Sequence, residues 1–156
     1  MFDIAVLQSV SYVAAAIGVC VAAAYYVLNL RNTIQNRKAQ LYMQLGEHLT
    51  NPAETQSHYE ILLQWEWKDF DDFQKKYGLG NLENFAKFMS LGVLLTQVGD
   101  LVELKLIDNE TARGQFGFRL RRFYEKYDSI IKEGREWLQF RGWTPIDRLY
   151  KEWGRQ

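Results

Sequence analysis

Histidine, cysteine and clustered carboxylates are the raw material of catalytic and metal sites, and this chain of 156 residues holds few of them. Its two histidines are His48 and His58. Glu54 and His58 stand four apart, the spacing at which two ligands share a helix face, but one carboxylate and one imidazole do not hold a metal without further donors. The lone cysteine, Cys20, excludes an intrachain disulfide and a thiolate cluster, and its apolar setting makes it a small filler. Asp69, Asp71 and Asp72 crowd together, yet the run has neither the glycine nor the closing glutamate of a calcium loop. Gly78-Leu79-Gly80-Asn81 lacks the strand and the full glycine pattern of a phosphate-binding loop. No Ser-His-Asp or Cys-His arrangement, no recognisably spaced pair of carboxylates and no Walker motif occurs. The expectation is a non-enzymatic chain with no catalytic residue, no metal ligands and no cofactor.

Two further features could carry recognition. Residues 65–73 read WEWKDFDDF, aromatics interleaved with acids. This is either a recognition groove or the core of a helix junction with its acids facing water. Charge is also segregated along the chain. Nineteen bases balance nineteen acids, which gives no bulk case for nucleic acid as a partner. Yet residues 51–72 hold six acids against Lys68, and residues 113–156 hold eleven bases against six acids. Solvated helix faces with mixed pairs are the default reading of this pattern; the two surfaces can instead face each other within a bundle or across a subunit interface. Alternatively, Arg119, Arg121 and Arg122 form a basic patch for anionic headgroups, at about 1 kcal/mol per residue near the surface.

The elements that must position these residues begin with a membrane segment. Ile4 to Leu30 carries no charge, and as a helix it would run roughly 40 Å, where a bilayer core of ~30 Å needs about 20 residues. Tyr25 and Tyr26 are placed as interfacial anchors, and Arg31, Arg37 and Lys38 come directly after them. Every Lys and Arg lies at position 31 or later, so the positive-inside rule predicts an outside N-terminus and a cytoplasmic domain. A cleaved signal peptide would begin with a positive region that this chain lacks. Ser11, Ala14, Ala15, Gly18 and Ala22 fall near one face of the span. Small residues at that spacing let helix backbones approach, so this is either a docking face for another transmembrane helix or simply an alanine-rich span. The implied partners are the bilayer and other transmembrane helices, in a homo-oligomer or a larger membrane complex.

Beyond the anchor at 1–30, residues 31–50 continue the helix as a stalk, with Ile34, Leu41, Leu45 and Leu49 at helical spacing. The stalk ends at Thr50, before Asn51-Pro52-Ala53-Glu54 caps a new helix running to about Trp67. A short helix is predicted from Asp69 to Tyr77, stopped by Gly78. Asn81 caps the next, Leu82 to about Lys105. Its apolar middle, Phe88 to Val98, is too short to span a bilayer between Glu83, Lys87, Asp100 and Glu103, and reads as the central buried helix. Gly92 and Gly99 lie on one stripe of it and admit a close neighbour. Asp108 opens a long helix with a packing seam at Phe116, Leu120, Phe123, Tyr127, Ile130, Gly134 and Trp137, reaching about Phe140. Gly142 interrupts, and Thr144-Pro145-Ile146-Asp147 starts a last helix carrying Leu149, Tyr150 and Trp153. The fold class is therefore all-α: one transmembrane helix continuing into a stalk, then a small cytoplasmic helical bundle over 51–156.

The pieces YYVLNLRN at 25–32, Lys38, Gln40, Leu41 and Tyr42, WEWKDFDDFQKKYG at 65–78 and LGVLLTQVGDLVELKLID at 91–108 give the chain a resemblance to short prokaryotic, notably archaeal, membrane proteins with a domain of unknown function. The resemblance implies an N-terminal anchor and a helical cytoplasmic domain, and no activity. The sequence is thus read first as a membrane-anchored scaffold or accessory subunit. The alternative is a signal relay through the stalk, and behind both stands an enzyme with an unrecognised site.

Overall fold

The computed structural model describes residues 4–138 and 143–154. By their contacts the residues fall into two units, Met1–Met43 and Gln44–Gln156. Among the described residues all regular structure is helical, as the sequence predicts.

The first unit is the greater part of α1, Ile4–Thr50, a single unbroken helix. Every described side chain from Ile4 to Leu30 is exposed. Several of its polar side chains bond within the helix. Ser11 Oγ donates to Leu7 O at 2.9 Å and Gln8 Nε2 to Tyr12 Oη at 3.2 Å, while Thr33 Oγ1 donates to Asn29 O at 2.9 Å. Back-bonding of this kind removes the hydroxyl's need for water. Tyr25, Tyr26, Arg31, Arg37 and Lys38 all lie exposed on this helix.

The second unit begins with the last turns of α1, where Leu45 is already buried. Asn51 then caps α2, Pro52–Tyr59, its side chain accepting from Ala53 N and Glu54 N, with Pro52 opening the first turn. The helix does not reach Trp67. It passes into a π-helical turn at Glu60–Gln64 and ends, Trp65 being extended at φ −67°, ψ 133°. The reason is tertiary: Trp65 stacks on Tyr77 at 4.1 Å and Trp67 on Tyr127 at 4.9 Å, and a continued helix could not send both indoles to those partners.

Local signals set the remaining ends. Asp69 caps α3, Phe70–Tyr77, by accepting from Asp72 N at 2.8 Å, and Asn81 caps α4, Leu82–Glu103, by accepting from Asn84 N at 3.2 Å. Helix α4 stops short of Lys105, which takes a left-handed φ of 56°. Asp108 receives Thr111 N at 2.8 Å at the start of α5, Asn109–Leu138. Pro145 sits in the first turn of α6, Thr144–Trp153, which starts at Thr144 with Trp143 as the flanking residue.

Helix α4 is the centre of the bundle, packed on α6, α3 and α5. Its Phe88, Leu91, Leu94, Leu95 and Val98 are buried. Among the described residues two helices, α1 and α4, are long and apolar enough to cross a membrane, and α4 buries Phe88, Leu91, Leu94, Leu95 and Val98 inside the domain. The stripe of Gly92 and Gly99 admits the start of α6: a Cβ at Gly92 would stand 2.5 Å from Trp143 Cζ2, and one at Gly99 2.6 Å from Pro145 Cβ. The α5 seam is buried as predicted at Phe116, Leu120, Phe123, Tyr127 and Ile130. Gly134 is half-buried, while the Trp137 side chain, Phe140 and Gly142 fall outside the described residues. Polar pins hold α6 in place: Trp153 Nε1 donates to Asn109 Oδ1 and Asn109 Nδ2 to Glu152 Oε1, both at 2.6 Å; Arg135 pairs with Asp147 at 2.8 Å; Arg148 meets Glu103.

Candidate functional site

The WEWKDFDDF stretch resolves as core. Trp67, Phe73, Phe88, Phe123, Tyr127 and Trp143 form one continuous set of stacked and edge-on rings with centroids 4.9 to 6.0 Å apart. Pairs of this geometry each contribute about 0.5–1.5 kcal/mol beyond the area they bury. The acids between them serve locally. Asp69 is a cap. Asp72 accepts from Lys76 Nζ at 2.8 Å and from Lys68 N at 3.1 Å, which together hold its carboxyl below the usual range.

The π-turn builds a polar cluster beside these rings. Changing the helical register there leaves carbonyls without their regular donors. Tyr127 Oη donates to Ile61 O at 2.6 Å, and Lys126 Nζ donates to Ile61 O and Leu62 O, both at 3.2 Å. The ammonium lies 5.7 Å from the Trp67 ring centroid and 5.8 Å from that of Tyr127. Burial pushes the Tyr127 phenol up and the Lys126 ammonium down. A lysine with a lowered pKa beside a tyrosine can be a catalytic pair. Here both donors are spent on backbone carbonyls of the same domain, so the pair reads as a clasp for the π-turn. Neither residue carried a sequence signal for this role, because the carbonyls they meet are 64 to 66 positions away.

The histidines separate. His48 Nδ1 pairs with Glu54 Oε2 at 2.7 Å on the surface. His58 is only 3% exposed, and its Nδ1 has no hydrogen-bond partner. Burial lowers its pKa, and Arg119 lowers it further. Glu54 and His58 are therefore not the solvated surface pair that their spacing suggests: His58 is buried, and Glu54 pairs with His48. Among the described residues no group of three or more His, Cys, Asp or Glu is placed to hold a metal ion.

The three arginines of the basic patch split. Arg119 is half-buried with its guanidinium 5.7 Å from the Tyr59 ring centroid, a cation–π arrangement. Arg121 and Arg122 are exposed, and among the described residues no carboxylate lies within 4 Å of any of the three. A depression of about 340 Å³ lies between the π-turn and α5, lined by Leu62, Leu63, Arg122, Glu125 and Lys126. Another of about 310 Å³ is bounded by Phe118, Arg121, Tyr150 and Trp153. A third, about 90 Å³, is walled mainly by apolar side chains, among them Phe70, Phe73, Phe85, Phe88 and Met89, with Gln74 and Arg135 at its edge.

In the first unit Ser11, Ala14, Ala15, Gly18 and Ala22 are all exposed on α1, and a Cβ at Gly18 would meet nothing within 4 Å. Compared with protein-family models, with curated proteins and with solved structures, the chain has no match.

Proposed function

We propose that the chain is a non-enzymatic, single-pass membrane scaffold or accessory subunit, with its N-terminus outside and residues 31–156 in the cytoplasm. The observation that carries this reading is the exposure of the whole apolar face and back of α1. Eleven aliphatic residues between Ile4 and Leu30, from Ile4 itself to Leu30, are at least 49% exposed. At about 1.5–3 kcal/mol for fully burying each, keeping them in water forfeits on the order of 15–30 kcal/mol. A domain of this size is worth only about 5–15 kcal/mol in total, so lipid is the solvent that suits this helix. The internally satisfied Ser11 and Gln8 favour the same solvent. The bases that begin at Arg31 favour the cytoplasmic side for the remainder of the chain. The scaffold reading draws on an open small-residue face around Gly18 and on a domain whose buried polar groups serve packing.

Chemical crosslinking in membranes and native mass spectrometry in mild detergent test this. A defined complex is expected, and a clean monomer in both would overturn it. Gly18→Ile is expected to weaken association at least tenfold by filling the close-approach face; unchanged association would remove that face from the reading. A tag placed after Gln156 is expected to be protected from protease added to intact cells, and its digestion would overturn the topology. A signal relay is the second reading, favoured by the unbroken course of α1 from Ile4 to Thr50. It requires that insertions within 31–43 change output with the helical phase.

A further inference from the structure

The outer side of α5 carries an aromatic residue that the fold does not use. Phe118 is 53% exposed although α5 has a fully buried seam on its other side. Arg121 and Arg122 lie three and four residues further along, on the same side as Phe118. Across the shallow depression, the α2 and π-turn edge adds Tyr59 and Leu63, both exposed apolar groups, and Leu63 shares that depression with Arg122. Arg119 covers Tyr59, and Lys126 closes the far end. Two acids temper this charge: Glu125, which lines the same depression, and Glu66, which acts electrostatically on Lys126. Lys126 is held on the π-turn carbonyls and Arg119 on the Tyr59 ring, so the exposed bases of this face are Arg121 and Arg122.

We infer that this face, centred on Phe118, Arg121 and Arg122, is a docking surface for an anionic lipid bilayer. The inference rests on the membrane-anchored reading, which would hold the domain near lipid throughout its life. Exposed aromatic and aliphatic groups set among arginines are the chemistry of an interfacial face: the apolar groups enter the headgroup boundary while the guanidiniums meet phosphates and carboxylates. Charge within the molecule argues against the obvious competitor, the acidic stretch 51–72 of a second copy. Four of its six acids are engaged within the molecule: Glu54 by His48, Glu60 by Lys87 and by Trp65 Nε1, Asp72 by Lys76, and Asp69 as a helix cap, which leaves Glu66 and Asp71. Arg121 and Arg122, by contrast, have no carboxylate within 4 Å among the described residues.

The test uses the full chain with Cys20→Ser and Gln115→Cys, a nitroxide on the new thiol, reconstituted in nanodiscs of phosphatidylcholine alone or enriched in phosphatidylserine. Docking predicts that collisions of the label with a water-soluble nickel chelate fall several-fold in the anionic discs only, and recover in high salt. Arg121→Glu with Arg122→Glu should lower the docked-to-free ratio by at least about 25-fold, from about fivefold per charge removed. Phe118→Ser, an exposed change that spares the charges, should weaken docking while leaving its salt dependence. Equal collision rates in both lipids overturn the inference. So does protection that tracks protein concentration instead of lipid charge, which would mean a second copy. Release of the chain from the bilayer by alkaline carbonate overturns the anchored reading itself, and the docking surface falls with it; retention with equal collision rates overturns the docking surface alone.

Discussion

Replacing Gly92 and Gly114 with alanine, two identical chemical changes on helices of one domain, should move stability in opposite directions. At either position alanine recovers up to about 1 kcal/mol of helix propensity, by removing glycine's extra backbone freedom from the unfolded chain. At Gly114 the new methyl meets nothing within 4 Å, so the gain is kept. At Gly92 it would stand 2.5 Å from Trp143 Cζ2 and 2.9 Å from Cε2. The indole cannot swing aside freely, because Phe88 and Phe123 meet it edge-on at 5.3 and 5.5 Å. Overpacking against a rigid ring costs about 1–3 kcal/mol, and the boxed indole belongs at the upper end. The net expectation is a loss of about 2 kcal/mol for Gly92→Ala and a gain of up to about 1 kcal/mol for Gly114→Ala. At about 4 °C per kcal/mol for a domain near this size, Tm should fall by about 8 °C in the first variant and rise by up to about 4 °C in the second. Near-ultraviolet circular dichroism on heating the full chain in mild detergent reads the aromatic core directly. If Gly92→Ala is as stabilising as Gly114→Ala, then α4 and the start of α6 do not approach as closely as the core requires, and the account of that core is wrong.

Other expected outcomes concern the buried polar groups. Tyr127→Phe removes the 2.6 Å bond to Ile61 O, and with Lys126 still donating to that carbonyl the loss should be about 1–2 kcal/mol. Adding Lys126→Met strips the π-turn of both donors, so denaturant unfolding of the four combinations should show the double change exceeding the sum of the singles; strict additivity would refute a shared role. His58 gives a pH dependence. Its folded-state pKa lies below the ordinary 6.5, through burial first and Arg119 second, so the unfolded chain takes the proton before the native one. The stability this confers is complete above 6.5 and is lost as pH falls below that value, with a slope of up to about 1.4 kcal/mol per pH unit. Stability measured between pH 7.5 and 5.5 should fall more steeply in the natural chain than in His58→Gln, and parallel profiles would refute it.

What the sequence made legible was local. Asn51, Asp69, Asn81, Asp108 and Pro145 each mark a helix start within a residue or two, because a cap is satisfied by amides two or three positions away. The seam on α5 was readable for the same reason, since its period is a property of one helix. The end of α2 was not, because Gln64 is set by where Trp65, Trp67, Lys126 and Tyr127 meet in space. Gly92 and Gly99 announced a close neighbour without naming it; Trp143 and Pro145 lie some fifty residues on. Segregated charge suggested pairing between 51–72 and 113–156. The structure instead joins them through Arg119 on Tyr59 and Lys126 on backbone carbonyls, contacts in which the base meets a ring or a dipole and not an acid.

The seating of α6 against the two glycines of α4 bears on how the polypeptide matures. Trp143, Ile146, Leu149 and Trp153 plug the centre of the bundle, and they are the last of its core residues to be synthesised. Until they emerge from the ribosome, α4 and α5 have no cover for the faces that α6 will occupy. A nascent chain that folds from its leading end must therefore wait, with the apolar face of α4 uncovered, for this ten-residue element. A stop codon just ahead of that element would leave the interior unsealed, an outcome for quality-control proteases to resolve.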